Sequence, residues 1–377
     1  MKINALEIPI SNKEKRFIND GLERILSSGV KWTNSDTVKA LETTFAQKTG
    51  SEYAIAVSTG SVAIESVLIA KGLDNAIIFA PVLTAPPTVL SCLNMKSNIV
   101  LVDADANDFG MDPADLEQKI KRHRKCGEKA VIIYVHIGGF ISENIKRIKA
   151  IADKHDVVLI EDCAHAHGAR LDNVHAGNFG IAGIFSFFLT KTITSGEGGI
   201  VIAKDKELAD KLSMIRNYGK DKGGLHVVKG SSWRLNEFSA LVLLSQIRNC
   251  ETKYARRQEI AVTYNEAFAC HDLFQPIVNL NSGYYKYILR VRENVGFDYQ
   301  NFKSYMQQHS IQLPAKVYDS LINEEPYLKS CTDQIINLDS SFEQAGFLKS
   351  HHVCLPMHLG LSNDDVKYVI ETIMKYR

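Results

Sequence analysis

The chain has 377 residues, 45% hydrophobic and 23% charged, proportions that suit a folded protein with one large domain and a smaller one. Lysine and arginine total 44 against 43 for aspartate and glutamate, so a net charge of +1 leaves no field to gather nucleic acid or an anionic membrane. Seven scattered cysteines without a CxxC pair fit reduced thiols, the N-terminus has no apolar signal core, and no stretch is apolar for long enough to cross a bilayer. A soluble, cytoplasmic protein is therefore expected, with neither a nucleic-acid nor a membrane partner.

In chain order, Ser11-Asn-Lys-Glu14 has the form of a capping box and predicts an N-terminal helix. Short apolar runs at 53–57, 76–80, 99–102, 130–135 and 157–160 predict strands, separated by segments of helical length. Runs that are apolar throughout suit strands covered on both faces, and strand-helix alternation predicts a parallel sheet inside a layered α/β sandwich. Asp112-Pro113 offers a helix N-cap with proline at the first helical position, and 145–155 has helical spacing. From Leu235 to Cys270 few breakers occur, after which 284–291 and 297–309 predict a strand and a helix. This change of pattern divides the chain into residues 1–253 and a smaller C-terminal α+β domain, 254–377.

Three segments carry chemistry. Phe185 to Gly199 opens like a strand, places Lys191 in its middle and ends in a glycine-rich turn. A buried ammonium loses much solvation, and an imine to an aldehyde cofactor removes that cost and gives the amine a use; the plain alternative is a surface lysine in a turn. Upstream, an apolar strand ends in Glu161-Asp162-Cys163-Ala164-His165-Ala166-His167-Gly168, at the sheet edge where α/β proteins bind ligands. There Asp162 can pair with a protonated pyridine nitrogen, or simply cap a helix. Val57-Ser58-Thr59-Gly60-Ser61 leads into a helix whose first amides suit a phosphate, although plain caps look the same.

Two other readings stand beside these. His165, His167 and Asp162 together offer metal-ligand chemistry, since alternate histidines on a strand would share a face; the reading preferred is no metal, with His165 against a cofactor ring and His167 packed. The basic run Lys121 to Lys125 reads as a solvated helix end. Trp233, Tyr284 and Tyr285 either line a cleft or belong to the core.

Taken in order, Ser58-Thr59-Gly60-Ser61, Val135-His136-Ile137-Gly138-Gly139, Glu161-Asp162 with Gly168, Ser186 through Gly199, Arg216-Asn217-Tyr218-Gly219, Trp233-Arg234-Leu235-Asn236-Glu237 and Leu355-Pro356-Met357-His358 resemble the DegT/DnrJ/StrS sugar aminotransferases over nearly the whole chain. The resemblance implies a three-layer α/β/α fold, the fold type I of pyridoxal-phosphate enzymes such as aspartate aminotransferase. It implies pyridoxal 5'-phosphate as cofactor, with Lys191 joined to its aldehyde and acting as general base, Asp162 on the pyridine nitrogen, and His165 against the ring where glutamine is frequent. Gly60, Ser61 and Ser186 would hold the phosphate. A homodimer with shared active sites is implied, in which Ser232 and Arg234 reach the neighbour's site.

Three positions depart from the family: Ala85 stands for an aromatic residue that stacks on the cofactor, Ser232 for an asparagine, and Gly138 for a tyrosine. By resemblance the donor is glutamate and the acceptor a keto sugar, most often nucleotide-linked, in amino-sugar and lipopolysaccharide or polysaccharide biosynthesis. Aminocyclitol precursors and free sugar acids are alternative acceptors. Dehydratases of the family carry histidine in place of the lysine, so Lys191 points to amino transfer; a small-molecule sensor on the same fold is a further alternative.

Overall fold

A computed structural model describes residues 2–29, 32–278, 282–293 and 295–376. Helix α1 (Asn12–Ser27) starts at the predicted capping box: the Glu14 amide donates to Ser11 Oγ at 3.2 Å, and the Ser11 amide donates to Glu14 Oε2 at 2.7 Å. Glu14 also pairs with Lys253 at 2.8 Å, which ties this arm to a distant part of the chain.

After α2 (Asp36–Thr49) come β1 (Tyr53–Val57), α3 (Gly60–Ala70), β2 (Ile77–Pro81), α4 (Pro86–Asn94), β3 (Asn98–Val102), α5 (Pro113–His123), β4 (Ala130–Val135), α6 (Asn144–Lys154) and β5 (Val158–Asp162). These strands fall on the predicted apolar runs or within two residues of them. Asp112 caps α5 by accepting the Ala114 and Asp115 amides, with Pro113 behind it. A small hairpin, β6 (Arg170–Leu171) and β7 (Val174–His175), precedes β8 (Ala182–Ser186), β9 (Gly199–Ala203), α7 (Lys206–Ile215), α8 (Glu237–Ile247) and α9 (Cys250–Phe268).

The large sheet has the order β1-β9-β8-β5-β4-β2-β3. It is not wholly parallel as the sequence predicts: β9 runs antiparallel to both β1 and β8, and the other neighbours are parallel. The chain turns straight back between Ser186 and Gly199 without a crossover helix, and a direct reversal pairs strands antiparallel. Apolar runs report burial of both faces and carry no sign of strand direction.

Side chains alternate between two cores. Ile55, Ile78, Ile133 and Ile160 join one, and Ala54, Phe79, Ile132 and Leu159 the other. By the same alternation Asp162 shares a face with Ile160, and Glu161 turns to the opposite side. There Glu161 is fully buried and accepts the amides of Gly177, Phe179 and Gly180 at 2.8, 2.7 and 2.7 Å, with His136 Nε2 at 2.8 Å. It fastens β4, β5 and the loop before β8. Glu161→Ala leaves one buried and two half-buried amides without an acceptor and is expected to lower the unfolding free energy by about 3 kcal/mol; urea denaturation reads this, and a loss below about 1 kcal/mol would speak against that role.

A second, antiparallel sheet, β10 (Phe274–Pro276), β11 (Tyr287–Val291) and β12 (His352–Leu355), forms a smaller unit with α10 (Tyr299–Gln308) and α13 (Asn363–Ile373). Between them lie α11 (Pro326–Lys329) and α12 (Glu343–Ser350). Helix α9 spans the sequence boundary at 253/254: Cys250 packs under the large sheet, whereas Ile260 to Phe268 pack with Phe274, Tyr287 and Phe302. The two units also exchange residues. Ile3 sits in the C-terminal core, and Val317, Leu321 and Leu348 join the core of the large sheet. Among the described residues no helix is long and apolar enough to cross a membrane.

Candidate active site

At one edge of the large sheet the ends of four strands meet. Val57 and Ser186 both lie opposite Gly199, and Asp162 lies between Val135 and Ile184. A cavity of about 470 Å³ stands above this edge, within the range of small-molecule sites, and Gly60, Ser61, Asp162, His165, Ser186 and Lys191 all line it. Residues far apart in sequence thus converge as the chemistry requires.

Lys191 lies in the reversal between β8 and β9. Its amide donates to Phe188 O at 2.9 Å, and Gln246 of α8 holds the loop by donating from Nε2 to Thr194 O at 2.6 Å. The lysine Nζ sits 4.8 Å from the centre of the Tyr285 ring. Burial pulls the ammonium below the usual lysine range, Tyr285 and Asp162 oppose the fall, and Lys286 adds to it. A larger share of the amine is therefore neutral and nucleophilic.

Asp162 is 5% exposed; Thr88 Oγ1 donates to its Oδ2 at 2.9 Å and the Ala164 amide to its Oδ1 at 3.0 Å. A turn and not a helix follows, so the helix-cap reading does not hold. His165, in that turn, stacks on Tyr285 with ring centres 4.1 Å apart and planes 22° from parallel. Burial, with Lys191 nearby, lowers its pKa well below the ordinary histidine value, so the ring is a neutral, flat surface.

The metal-ligand alternative is not assembled. His165 and His167 lie in the turn after β5, not on a strand, and they face different surroundings: His167 packs against Phe185 and Phe187 with ring centres 5.5 and 5.2 Å away, where burial pushes its pKa down to about 3. Among the described residues His136, Glu161 and Cys163 bring ligand atoms within 4.8 Å of one another. There Glu161 is already engaged by three amides and the imidazole.

Helix α3 points its start at the cavity. Thr59 Oγ1 accepts the Val62 amide at 3.3 Å, and the first-turn amides of Gly60 and Ser61 have no carbonyl one turn earlier to bond. A Cβ on Gly60 would stand 3.0 Å from Ser186 Cβ, so glycine here is what lets the Ser186 hydroxyl approach the helix start. Amides and a hydroxyl at a helix N-terminus form an anion site.

Ser232 is not brought to the cavity of its own chain. It is exposed and accepts Arg234 Nη2 at 2.8 Å; Arg234 also donates to Asn217 Oδ1 at 3.0 Å and lies 4.7 Å over the Tyr218 ring. Arg216, of the same motif, is structural: it pairs with Glu42 and donates to Ala56 O at 2.7 Å. Trp233 packs at the border of the large core, and Tyr284 is buried in the C-terminal one.

Two site residues, Thr88 and Tyr318, escape a reading of the sequence, and Tyr285, open there between cleft and core, stands at the site. Thr88 orients Asp162, Tyr285 holds the surroundings of Lys191 and His165, and Tyr318 lines the cavity. Proximity of Thr88 to Ala85 is a local signal for the first. Both tyrosines come from the C-terminal part, and nothing in the spacing around Tyr318 marks it. Tyr285 reaches the site because Gly139, at φ +101°, has no Cβ; one there would stand 2.7 Å from both the Tyr285 amide and His165 O.

A desolvated amine, an anchored carboxylate, a phosphate cradle and a flat neutral ring on one sheet edge fit pyridoxal phosphate, and with the mixed seven-stranded sheet they define a transferase of fold type I. Residues 12–374 match the DegT/DnrJ/EryC1/StrS aminotransferase family, and the chain belongs to that family of pyridoxal-phosphate-dependent transaminases.

The chain is 29% identical over 374 residues to dTDP-3-amino-3,6-dideoxy-alpha-D-galactopyranose transaminase of Aneurinibacillus thermoaerophilus, covering 97% of each. It is 30% identical over 260 residues to GDP-perosamine synthase of Escherichia coli O157:H7, covering 68% of this chain and 69% of that one. A crystal structure of a DegT DnrJ EryC1 StrS aminotransferase from Brucella abortus superposes with a TM-score of 0.85 at 26% identity over 95% of each chain.

Proposed function

We propose that the protein transfers the amino group of glutamate to a keto sugar carried on a nucleotide, with pyridoxal 5'-phosphate held in the cavity of Lys191 and Asp162. The observation that carries this is their meeting in one cavity beside the start of α3. Two relatives named for nucleotide-linked amino sugars support the acceptor class. Lysine at 191, where the family's dehydratases have histidine, favours amino transfer over dehydration.

When bound, the cofactor supplies an aldehyde for amines and a ring that draws electrons from the carbon attached to them. Gly60, Ser61 and Ser186 would hold its phosphate and Asp162 the proton of its ring nitrogen, while His165 lies against the ring. Lys191 Nζ, once displaced by the donor amine, is the base that takes the proton from the donor Cα and returns it in the reverse half. The ammonium's depressed pKa supports this role.

Ser232 and Arg234 serve the cavity of a second copy in this reading. Phe188, which lines the cavity, its neighbour Leu189, and Tyr218 and Val227 of the segment leading to Ser232 are 45, 52, 43 and 53% exposed, apolar surface that suits burial in a homodimer. Residues 1–253 then carry the cofactor groups, and 254–377 contribute the wall of Tyr285 and Tyr318. The seven free cysteines favour a reducing compartment, the cytoplasm.

The test uses protein loaded with pyridoxal phosphate. Glutamate should convert the visible band of the bound cofactor to the ultraviolet band of its amine form, and keto sugars on dTDP or GDP should restore it in a ping-pong pattern. Light scattering should give a dimer. Failure of glutamate to change the spectrum, or restoration by free keto sugars alone, would rule out the donor or the acceptor class respectively.

A further inference from the structure

At Ala85 the cavity wall carries only a methyl group, and Tyr318 of the C-terminal part comes to stand there. Against the larger effect of burial, the Thr84 side chain and the Ala85 backbone act on its hydroxyl, both favouring the ionised form. That backbone is accessible because Ala85, followed by two prolines, is extended at φ −70° and ψ 138° and only caps α4. The Tyr318 ring lies 22° from the plane of His165, with ring centres 6.0 Å apart.

The segment that bears Tyr318 is pinned on both sides. The Val317 amide donates to His352 Nε2 at 3.0 Å, and the Ile322 amide donates to Val82 O at 2.9 Å. Val317 and Leu321 are buried in the core of the large sheet. Tyr318 is thus a fixed part of the wall, anchored to the loop between β2 and α4 that also carries Ala85.

We propose that Tyr318 faces the cofactor ring from the Ala85 side, opposite His165, and so sets how tightly the cofactor is held. This rests on the reading of the cavity as a pyridoxal phosphate site. A flat ring between two others needs a gap of roughly 7 Å, twice the contact distance of ~3.5 Å, so His165, in its turn, would give way by about 1 Å while Tyr318 stays in place. Ala85 and Tyr318 are then complementary, since a large residue at 85 would claim the volume that the Tyr318 ring occupies.

The test measures the dissociation constant of pyridoxal phosphate by equilibrium dialysis against cofactor-free protein, together with the absorbance maximum of the bound form. Tyr318→Ala should weaken binding about tenfold and shift that maximum, and Tyr318→Phe should stay within about threefold of the parent, since the ring and not the hydroxyl makes the contact. Adding Ala85→Phe to Tyr318→Ala should recover affinity by putting a ring back on the same wall. Tyr318→Leu, which keeps volume without a ring, replaces the alanine variant should that one fail to fold, with the same expected loss. Equal affinity for Tyr318→Ala or Tyr318→Leu and the parent overturns the proposal, as does a double variant no tighter than the single one. A parent protein that takes up no pyridoxal phosphate would instead overturn the assignment of the site itself.

Discussion

Lys191→Ala should abolish the visible band of protein-bound cofactor and lower amino transfer by at least about a thousandfold. In the proposed function the residue has two jobs through one atom, joining the cofactor aldehyde and moving the donor proton, and no other described amine lines the cavity. Lys191→Arg separates charge from nucleophilicity. It keeps a cation in place, yet guanidinium is not deprotonated in proteins, so it should fail as completely as alanine. Fold should persist in both, because the reversal is held by Gln246 and backbone bonds and not by the lysine side chain. Rates near the parent's in either variant would transfer the role to another group.

Asp162→Asn should lower turnover about a hundredfold while pyridoxal phosphate still binds. Asparagine keeps the shape, its Oδ1 can accept the Ala164 amide and its Nδ2 can donate to Thr88 Oγ1 with that bond reversed, but it has no charge to hold a proton on the ring nitrogen, and an uncharged ring withdraws electrons poorly. The loss should fall on kcat and leave the affinity for the cofactor, measured by dialysis, within a few-fold. A collapse of cofactor binding with normal kcat at saturation would make Asp162 an anchor instead.

The site residues divide by how they reach the cavity. Asp162 and Ser186 end β5 and β8, Gly60 and Ser61 start α3, and Lys191 and His165 lie in turns beyond strand ends. Lys191, Asp162, Gly60 and Ser61 are legible from a local pattern plus the rule that ligands lie at the carboxyl edge of the sheet, and His165 and Ser186 through the family resemblance. Thr88 and Tyr318 are not, and Tyr285 is legible only as a choice between cleft and core. Their functional meaning lies in a partner distant in sequence: Thr88 meets Asp162, Tyr285 meets His165 and Lys191, and Tyr318 meets Ala85.

The two differences between expected and observed fold have the same root. A run such as Gly199 to Ala203 is apolar because both of its faces are covered, which holds for either direction of travel, so pattern alone gives β9 no direction. Extending the apolar run of β5 places His165 and His167 on a strand, whereas the chain turns after Asp162 and sends the rings to different sides.

What the amino-acid sequence determined by itself was local: helix starts from capping chemistry, strands from buried apolar runs, the family from ordered motifs, and candidates for the amine, the carboxylate and a phosphate-binding turn from residues beside strand ends. Tertiary structure alone decided strand direction, the route of α9 across both cores, the exposure of Ser232, the place of Tyr285 at the site and the choice of Tyr318 from fourteen tyrosines as a wall of it. The reason is range. Hydrogen bonds within a turn and hydrophobic periodicity act between near neighbours, whereas a cavity wall is set by which distant surfaces the packed cores press together.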